Sequence, residues 1–220
     1  KHMIRDKNGK QYWDPRRPQT HCDARPQEAE TESIKDQIAM YKDTKSRFKL
    51  HIHHTSVPQS IELIYQAREE GIDVSAGICP HHLFLDYFDM NLLLKMNPPL
   101  RAGGSNISLL QNLKDETKNF ILMESDHAPH TLKEKQETPY MSGIPILPWW
   151  QFTVRVLETA KFSRKRIDNI FFNNAVKRFG LENIPIRTVR RIKDRRGDYE
   201  FNPFERLEEK LRERYGLTFT

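Results

Sequence analysis

The chain has few of the residues that mark an extracellular or membrane protein. Its 220 residues include two cysteines, Cys22 and Cys79, which are too few for a disulfide framework and form no C-x-x-C pair. No apolar run approaches the roughly 18 residues that a membrane span needs. Residues 1–6 are followed by polar residues and not by the apolar segment of a secretory signal. We therefore expect two reduced thiols in a cytoplasmic protein without a membrane partner.

The excess of charge of one sign is small and is concentrated in one segment. The formal net charge is +6, and eleven of the 36 Lys and Arg residues lie between Arg164 and Arg196. A basic segment can mark a nucleic-acid site, but residues 187–196 contain no aromatic residue and no known nucleic-acid-reading motif. A solvated face, or a face that covers an acidic partner, is the interpretation that the pattern favours over nucleic-acid binding.

Three regions differ in their sequence pattern. Residues 1–26 are polar and contain three prolines, so they predict an irregular lead-in. Residues 27–180 contain the apolar segments, and the 37% of hydrophobic residues in the chain suffice for a core. Residues 181–220 predict a charged C-terminal extension with a helix over 205–214.

Within 27–180, short apolar runs alternate with segments of helical periodicity. Strands are predicted at 48–54, at 74–79, in a segment that ends at 96–99, and at 120–123. Helices are predicted from 28, from 56 to Gly71, over 107–113, over 149–161, and over 164–179 before Gly180. Strand and helix in alternation are typical of parallel βα units, so the fold class is α/β.

Seven of the nine histidines lie at the ends of these predicted strands, in the groups 51–54, 81–82 and 127–130. In a βα barrel the carboxyl ends of the strands meet at one face, where active sites are built. Imidazoles bind zinc, and a carboxylate such as Asp126 completes the site or acts as a base. The alternative for each single histidine is a strand cap or a hydrogen bond to a loop carbonyl. Three groups with one carboxylate favour the metal site.

Strand alternation limits which histidines can enter such a site. His51 and His53 share one face while His54 lies at the loop junction, so one or two of the three point inward. His81 and His82 are adjacent and face opposite ways, so one of them is expected to be structural.

Four stretches together resemble the second half of the dihydroorotases, which are TIM-barrel members of the amidohydrolase superfamily. They are residues 51–56 (HIHHTS), 79–83 (CPHHL), 97–101 (NPPLR) and 125–131 (SDHAPHT). Residues 25–30 resemble the lead into the helix before the fifth strand, and residues 142–145 (SGIP) resemble a loop that covers the substrate. The resemblance implies a partial TIM barrel, roughly strands five to eight with their helices.

The resemblance also implies roles for individual residues. His54 and His81 would be zinc ligands, and Asp126 would be a metal-linked general acid and base. Asn97 would hydrogen-bond the substrate ring, His130 would bind its carboxylate, and Gly143 would contact it from the covering loop. The implied reaction is the reversible cyclisation of N-carbamoyl-L-aspartate to dihydroorotate in pyrimidine biosynthesis.

The sequence departs from this pattern in several places. It has no first-strand His-x-His-x-Arg and no fourth-strand metal bridge, so we expect an incomplete or truncated barrel. Gly77 stands where an acid is common, and Ile146 stands where a second glycine is usual. The missing ligands keep a second hypothesis open, namely a non-catalytic subunit that scaffolds a partner such as aspartate transcarbamoylase. A homo-oligomer is the other protein partnership that the sequence suggests.

Overall fold

The computed structural model describes residues 13–44, 48–185 and 193–217. It contains three strands, β1 (Leu50–Ile52), β2 (Val74–Ile78) and β3 (Ile121–Met123). The helices are α1 (Gln19–Asp23), α2 (Gln27–Asp43), α3 (Pro58–Glu69), α4 (Pro80–Phe84), α5 (Ser105–Lys114), α6 (Leu132–Gln136), α7 (Trp150–Thr159), α8 (Arg164–Asp168), α9 (Asn174–Phe179) and α10 (Glu205–Tyr215). A π-helical turn, Asn169–Asn173, joins α8 to α9, so the predicted helix over 164–179 is present.

The three strands form a parallel sheet in the order β1-β2-β3. Leu50 pairs with Val74, and Ala76 pairs with Ile121, so β3 lies directly beside β2. The prediction of an α/β fold with parallel strands is therefore confirmed. In the described part of the chain no helix has both the length and the apolar character that crossing a bilayer requires.

The prediction of a strand that ends at residues 96–99 is wrong. Pro98 and Pro99 have no N–H group to donate to a ladder. The carbonyl of Lys95 instead accepts a hydrogen bond from the backbone N–H of Gly143 at 2.9 Å, and the carbonyl of Met96 lies 2.9 Å from His21 Nε2. A loop N–H group and a side chain thus bond the carbonyls that a neighbouring strand would bond in a sheet.

The two faces of the sheet differ in polarity because side chains alternate along each strand. One face contributes Ile52, Val74, Ala76, Ile78, Ile121 and Met123 to the main hydrophobic core, which buries side chains of α2, α3, α5, α7 and α8. The other face carries His51, Ser75, Gly77 and Glu124. Polar side chains near the carboxyl ends of the strands therefore lie on this second face of the sheet.

A second hydrophobic cluster connects the two ends of the chain. Cys22 from α1 and Phe204, which precedes α10, are both buried there beside Met96 and Trp149. The lead-in predicted to be irregular thus contains a short helix, because this cluster buries one side of it. The helix predicted over 205–214 is present as α10, and its Leu207 and Leu211 pack against the same cluster.

Several cations of the basic segment are used inside the fold. Arg166 is buried and donates from Nε to the carbonyl of Leu113 at 2.6 Å. Arg178 is also buried and pairs with the Asp73 carboxylate. Residues 186–192 of this segment lie outside the described residues. These two arginines join α8 and α9 to the rest of the molecule. Part of the positive charge of the basic segment is therefore explained by contacts inside the fold and requires no external partner.

Candidate metal and substrate site

His81 is the residue at the strand ends whose environment is most unusual. It follows β2 in the first turn of α4, and its side chain is fully buried. Neither ring nitrogen has a hydrogen-bond partner among the described residues. Burial lowers the pKa of His81 well below its usual value, and the neighbouring His82 and His54 lower it further. A buried imidazole without partners costs free energy, and its neutral form is the form that binds a metal ion.

His82 has a structural contact that His81 lacks. Its Nε2 lies 3.1 Å from the carbonyl of Pro98, while its Nδ1 has no hydrogen-bond partner. Burial lowers the pKa of His82 to about 4. The expectation that one of the two adjacent histidines is structural therefore fits His82, which holds the loop at Pro98 against α4.

His54 and Asp126 follow the ends of β1 and β3. Both adopt left-handed backbone conformations, with φ of 39° at His54 and 44° at Asp126. Burial raises the pKa of Asp126, and the nearby His54 acts against that rise. Because His54 also lowers the pKa of His81, it is an electrostatic neighbour of both predicted partners.

These three residues do not form a closed set of ligands. Among the described residues, two groups of potential ligands have all their donor atoms within 4.8 Å of one another. They are Cys79 with His81 and His82, and His51 with His53 and Glu124. His54 thus influences both His81 and Asp126 electrostatically, while the donor atoms within 4.8 Å of those of His81 belong to Cys79 and His82 of its own segment.

Asn97, His130 and Gly143 meet at Ser142. The Asn97 side chain donates to Ser142 Oγ at 3.4 Å, and His130 Nε2 lies 3.1 Å from the Ser142 carbonyl. Gly143 has a φ of 130°, and a Cβ added to it would lie 2.5 Å from the carbonyl oxygen of Ala128. The structure therefore brings the three predicted substrate residues together, and residue 143 must be glycine for this loop to approach so closely.

Lys135 anchors this loop, and sequence reasoning missed it. Its side chain is fully buried, and Nζ donates to the carbonyls of Lys95 at 2.8 Å, Met141 at 3.0 Å and Gly143 at 2.8 Å. Burial lowers the pKa of Lys135 to about 7, and Lys95 contributes to the shift. In the sequence Lys135 is one of several charged residues of a short polar helix, so no local pattern marks it.

Glu124 is the second residue that sequence reasoning missed. Its Oε1 lies 2.6 Å from His51 Nε2 and 2.9 Å from His53 Nδ1, while Oε2 accepts from the backbone N–H of His54 at 3.0 Å. The carboxylate of the residue after β3 thus contacts all three histidines at the end of β1. Strand alternation could have revealed it, because Glu124, His51 and His53 all belong to the polar face of the sheet.

Gly77 makes this contact possible, since β2 lies between β1 and β3. A Cβ at residue 77 would overlap the Glu124 carboxylate. We expect Gly77→Ala to destabilise the protein by about 1–3 kcal/mol, the usual cost of overpacking. In a Glu124→Ala background the same change should lower the free energy of unfolding by close to nothing, because the carboxylate that the new Cβ would meet is absent.

Urea unfolding of the two single variants and the double variant measures this coupling. An equal cost of Gly77→Ala in both backgrounds would contradict the packing relationship.

Other residues of the recognisable stretches have structural contacts. Arg101 is buried, pairs with the Glu30 carboxylate at 3.1 Å, and donates to Ser56 Oγ at 2.8 Å. His127 Nδ1 accepts from the backbone N–H groups of Ile146 and Leu147, and its Nε2 lies 3.2 Å from the Tyr199 hydroxyl. Arg101 thus joins the segment after β1 to α2, and His127 joins the segment after β3 to the residues before α7 and to Tyr199.

Comparison with known proteins identifies similar chains. No protein-family model matches the sequence. A dihydroorotase from Caldanaerobacter subterraneus is 32% identical over 167 residues, which make up 72% of this chain and 37% of that protein. A dihydroorotase from Bacillus licheniformis is 34% identical over 138 residues, 60% of this chain and 32% of that protein. The chain thus spans about a third of the length of these relatives.

A similar fold is found among solved structures. The crystal structure of dihydropyrimidinase from Brevibacillus agri superposes with a TM-score of 0.67 and 25% sequence identity. The match covers 76% of this chain and 38% of that one.

Proposed function

We propose, since this chain is homologous to part of the dihydroorotases, that it carries one side of the active site of a zinc-dependent cyclic amidohydrolase. The single observation that supports this proposal most strongly is the fully buried His81, whose two ring nitrogens have no hydrogen-bond partner. In the proposed arrangement β1, β2 and β3 are strands of a half-barrel over residues 27–180 that corresponds roughly to barrel strands five to eight. Residues 1–26 and 181–220 flank it.

The residues present fit a metal ion of the kind that imidazole and carboxylate ligands bind. His81 offers unpartnered nitrogens, His54 lies at the end of the neighbouring strand, and Asp126 supplies a carboxylate. When bound, zinc supplies Lewis acidity that favours deprotonated water and a polarised amide carbonyl.

The proposed reaction is the reversible hydrolysis of dihydroorotate to N-carbamoyl-L-aspartate. In the hydrolytic direction Asp126 accepts a proton from the attacking water and transfers it to the ring nitrogen as the amide bond breaks. A carboxyl group whose pKa is raised by burial is suited to hold that proton between the two steps.

The loop around Ser142 would bind the substrate. Asn97 would donate a hydrogen bond to the ring, His130 would contact the substrate carboxylate, and the backbone of Gly143 would cover it. Ser142 contacts both Asn97 and His130. A substrate that bonds these two side chains would replace their contacts with Ser142, so both side chains would move when the substrate binds.

The metal assignment can be tested on the chain itself by elemental analysis. We expect the purified wild type to retain zinc and the double variant His54→Ala/His81→Ala to lose it, because neither of the two proposed imidazole ligands remains. His53→Ala tests the other group of potential ligands, His51, His53 and Glu124, and should leave the zinc content unchanged. Zinc content in the double variant equal to that of the wild type, with an unchanged circular dichroism spectrum, would refute the assignment.

A further inference from the structure

Cys79 lies beside the proposed metal site, and none of the roles described above involves it. It continues β2 with extended backbone angles, φ −102° and ψ 147°, and it precedes the first residue of α4. By alternation it follows Ser75 and Gly77 on the polar face of the sheet. Its side chain is fully buried. Burial raises the pKa of the thiol, and the carboxylates of Asp126 and Glu124 raise it further.

The Cys79 sulfur is close to unsatisfied ligand atoms. The donor atoms of Cys79, His81 and His82 all lie within 4.8 Å of one another. His81 is fully buried with both ring nitrogens unpartnered, and His82 Nδ1 is also unpartnered. Three potential ligand atoms therefore lie close together, and among the described residues no hydrogen bond uses the His81 ring.

We propose that Cys79 binds, as a thiolate, the same metal ion as His81. The inference rests on the proposed function, which provides the ion. The sulfur–metal bond forms as the thiol proton leaves to solvent, and no oxidant or other reactant is needed. A thiolate from Cys79 and a carboxylate from Asp126 together balance the two charges of a zinc ion. Mixed cysteine and histidine ligation occurs in catalytic zinc sites.

The competing explanation is that Cys79 is a buried thiol that only fills space, as free cysteines commonly do. The two explanations differ in one spectroscopic property. A thiolate bound to Co²⁺ gives an intense near-ultraviolet charge-transfer band, which histidine and carboxylate ligands do not give.

The experiment replaces zinc by Co²⁺ in the full chain and records absorbance together with cobalt content. We expect the band in the wild type and its loss in Cys79→Ser, with cobalt still bound through His81. Cys22→Ser is the matched control, because Cys22 is the other buried cysteine and lies in the second hydrophobic cluster. It should keep the full band.

The outcomes separate this inference from the proposed function. Cobalt bound by the wild type without the band overturns thiolate ligation and leaves His81 as a ligand. A band that disappears in Cys22→Ser also overturns it. If the wild type binds neither cobalt nor zinc, both the inference and the proposed metal site are wrong. The wild-type spectrum and the Cys22→Ser spectrum decide the question even if Cys79→Ser fails to fold.

Discussion

Asp126→Asn is expected to lower turnover of dihydroorotate by about 100-fold to 10,000-fold, the range that a general acid–base group contributes. The amide has nearly the same shape as the carboxyl group but cannot accept the proton of the attacking water. The measurement is steady-state hydrolysis of dihydroorotate by the assembly in which the chain is active. Zinc content should remain close to that of the wild type because His54 and His81 are unchanged.

Asp36→Asn provides the matched control for this experiment. It makes the same chemical change at an exposed position of α2 and should leave turnover unaltered. Turnover of Asp126→Asn within a few-fold of the wild type would assign the proton transfer to another residue. A parallel loss of zinc would instead mean that Asp126 acts mainly as a ligand.

Lys135→Met is expected to have the largest effect on stability, a loss of about 3 kcal/mol or more. A buried acceptor that is left without its donor costs about 1–3 kcal/mol, although three such costs are not additive. The variant leaves the carbonyls of Lys95, Met141 and Gly143 without this donor. Urea unfolding at neutral pH measures the change, with the exposed Lys133→Met as control. Equal losses in the two variants would contradict the anchoring role.

Lys135 should also make stability depend on pH. Its pKa is lowered to about 7 in the folded protein from an ordinary value of 10.5. Between these values the unfolded chain binds more protons, so the unfolding free energy rises with pH, by at most about 1.4 kcal/mol per pH unit. The contribution is lowest below the folded pKa and highest above the unfolded one. Unfolding curves across this window should rise more steeply with pH for the wild type than for Lys135→Met, and parallel slopes would contradict the shift.

Features that depend on local pattern were predictable from the sequence. The helices around Ile34, Ile61 and Leu109 follow apolar periodicity, and all three side chains are buried in the main core. The histidine groups were recognisable because polar residues directly follow apolar runs. Their position at the ends of parallel strands followed from the alternation of strand and helix.

Features that depend on contacts between distant segments were not predictable in this way. The sequence predicts a strand end at Pro98 because an apolar segment precedes it. In the structure, the carbonyls of Lys95 and Met96 before Pro98 have their hydrogen-bond partners in Gly143 and His21. Lys135 binds carbonyls as far away as Lys95, a separation of 40 residues. The proximity of the Cys79 sulfur to donor atoms of His81 and His82, all within 4.8 Å of one another, was visible only in the structure.

The gap above Gly77 restricts how this protein can change over evolutionary time. A side chain gained at residue 77 would displace the acid at residue 124 from the histidines of β1, and loss of the acid would remove that conflict. Because the carboxylate can reach the histidines of β1 only across that gap, substitutions at the two positions should occur as pairs. Sequences of this protein from diverging species should therefore show covariation between a residue of β2 and the residue that follows β3.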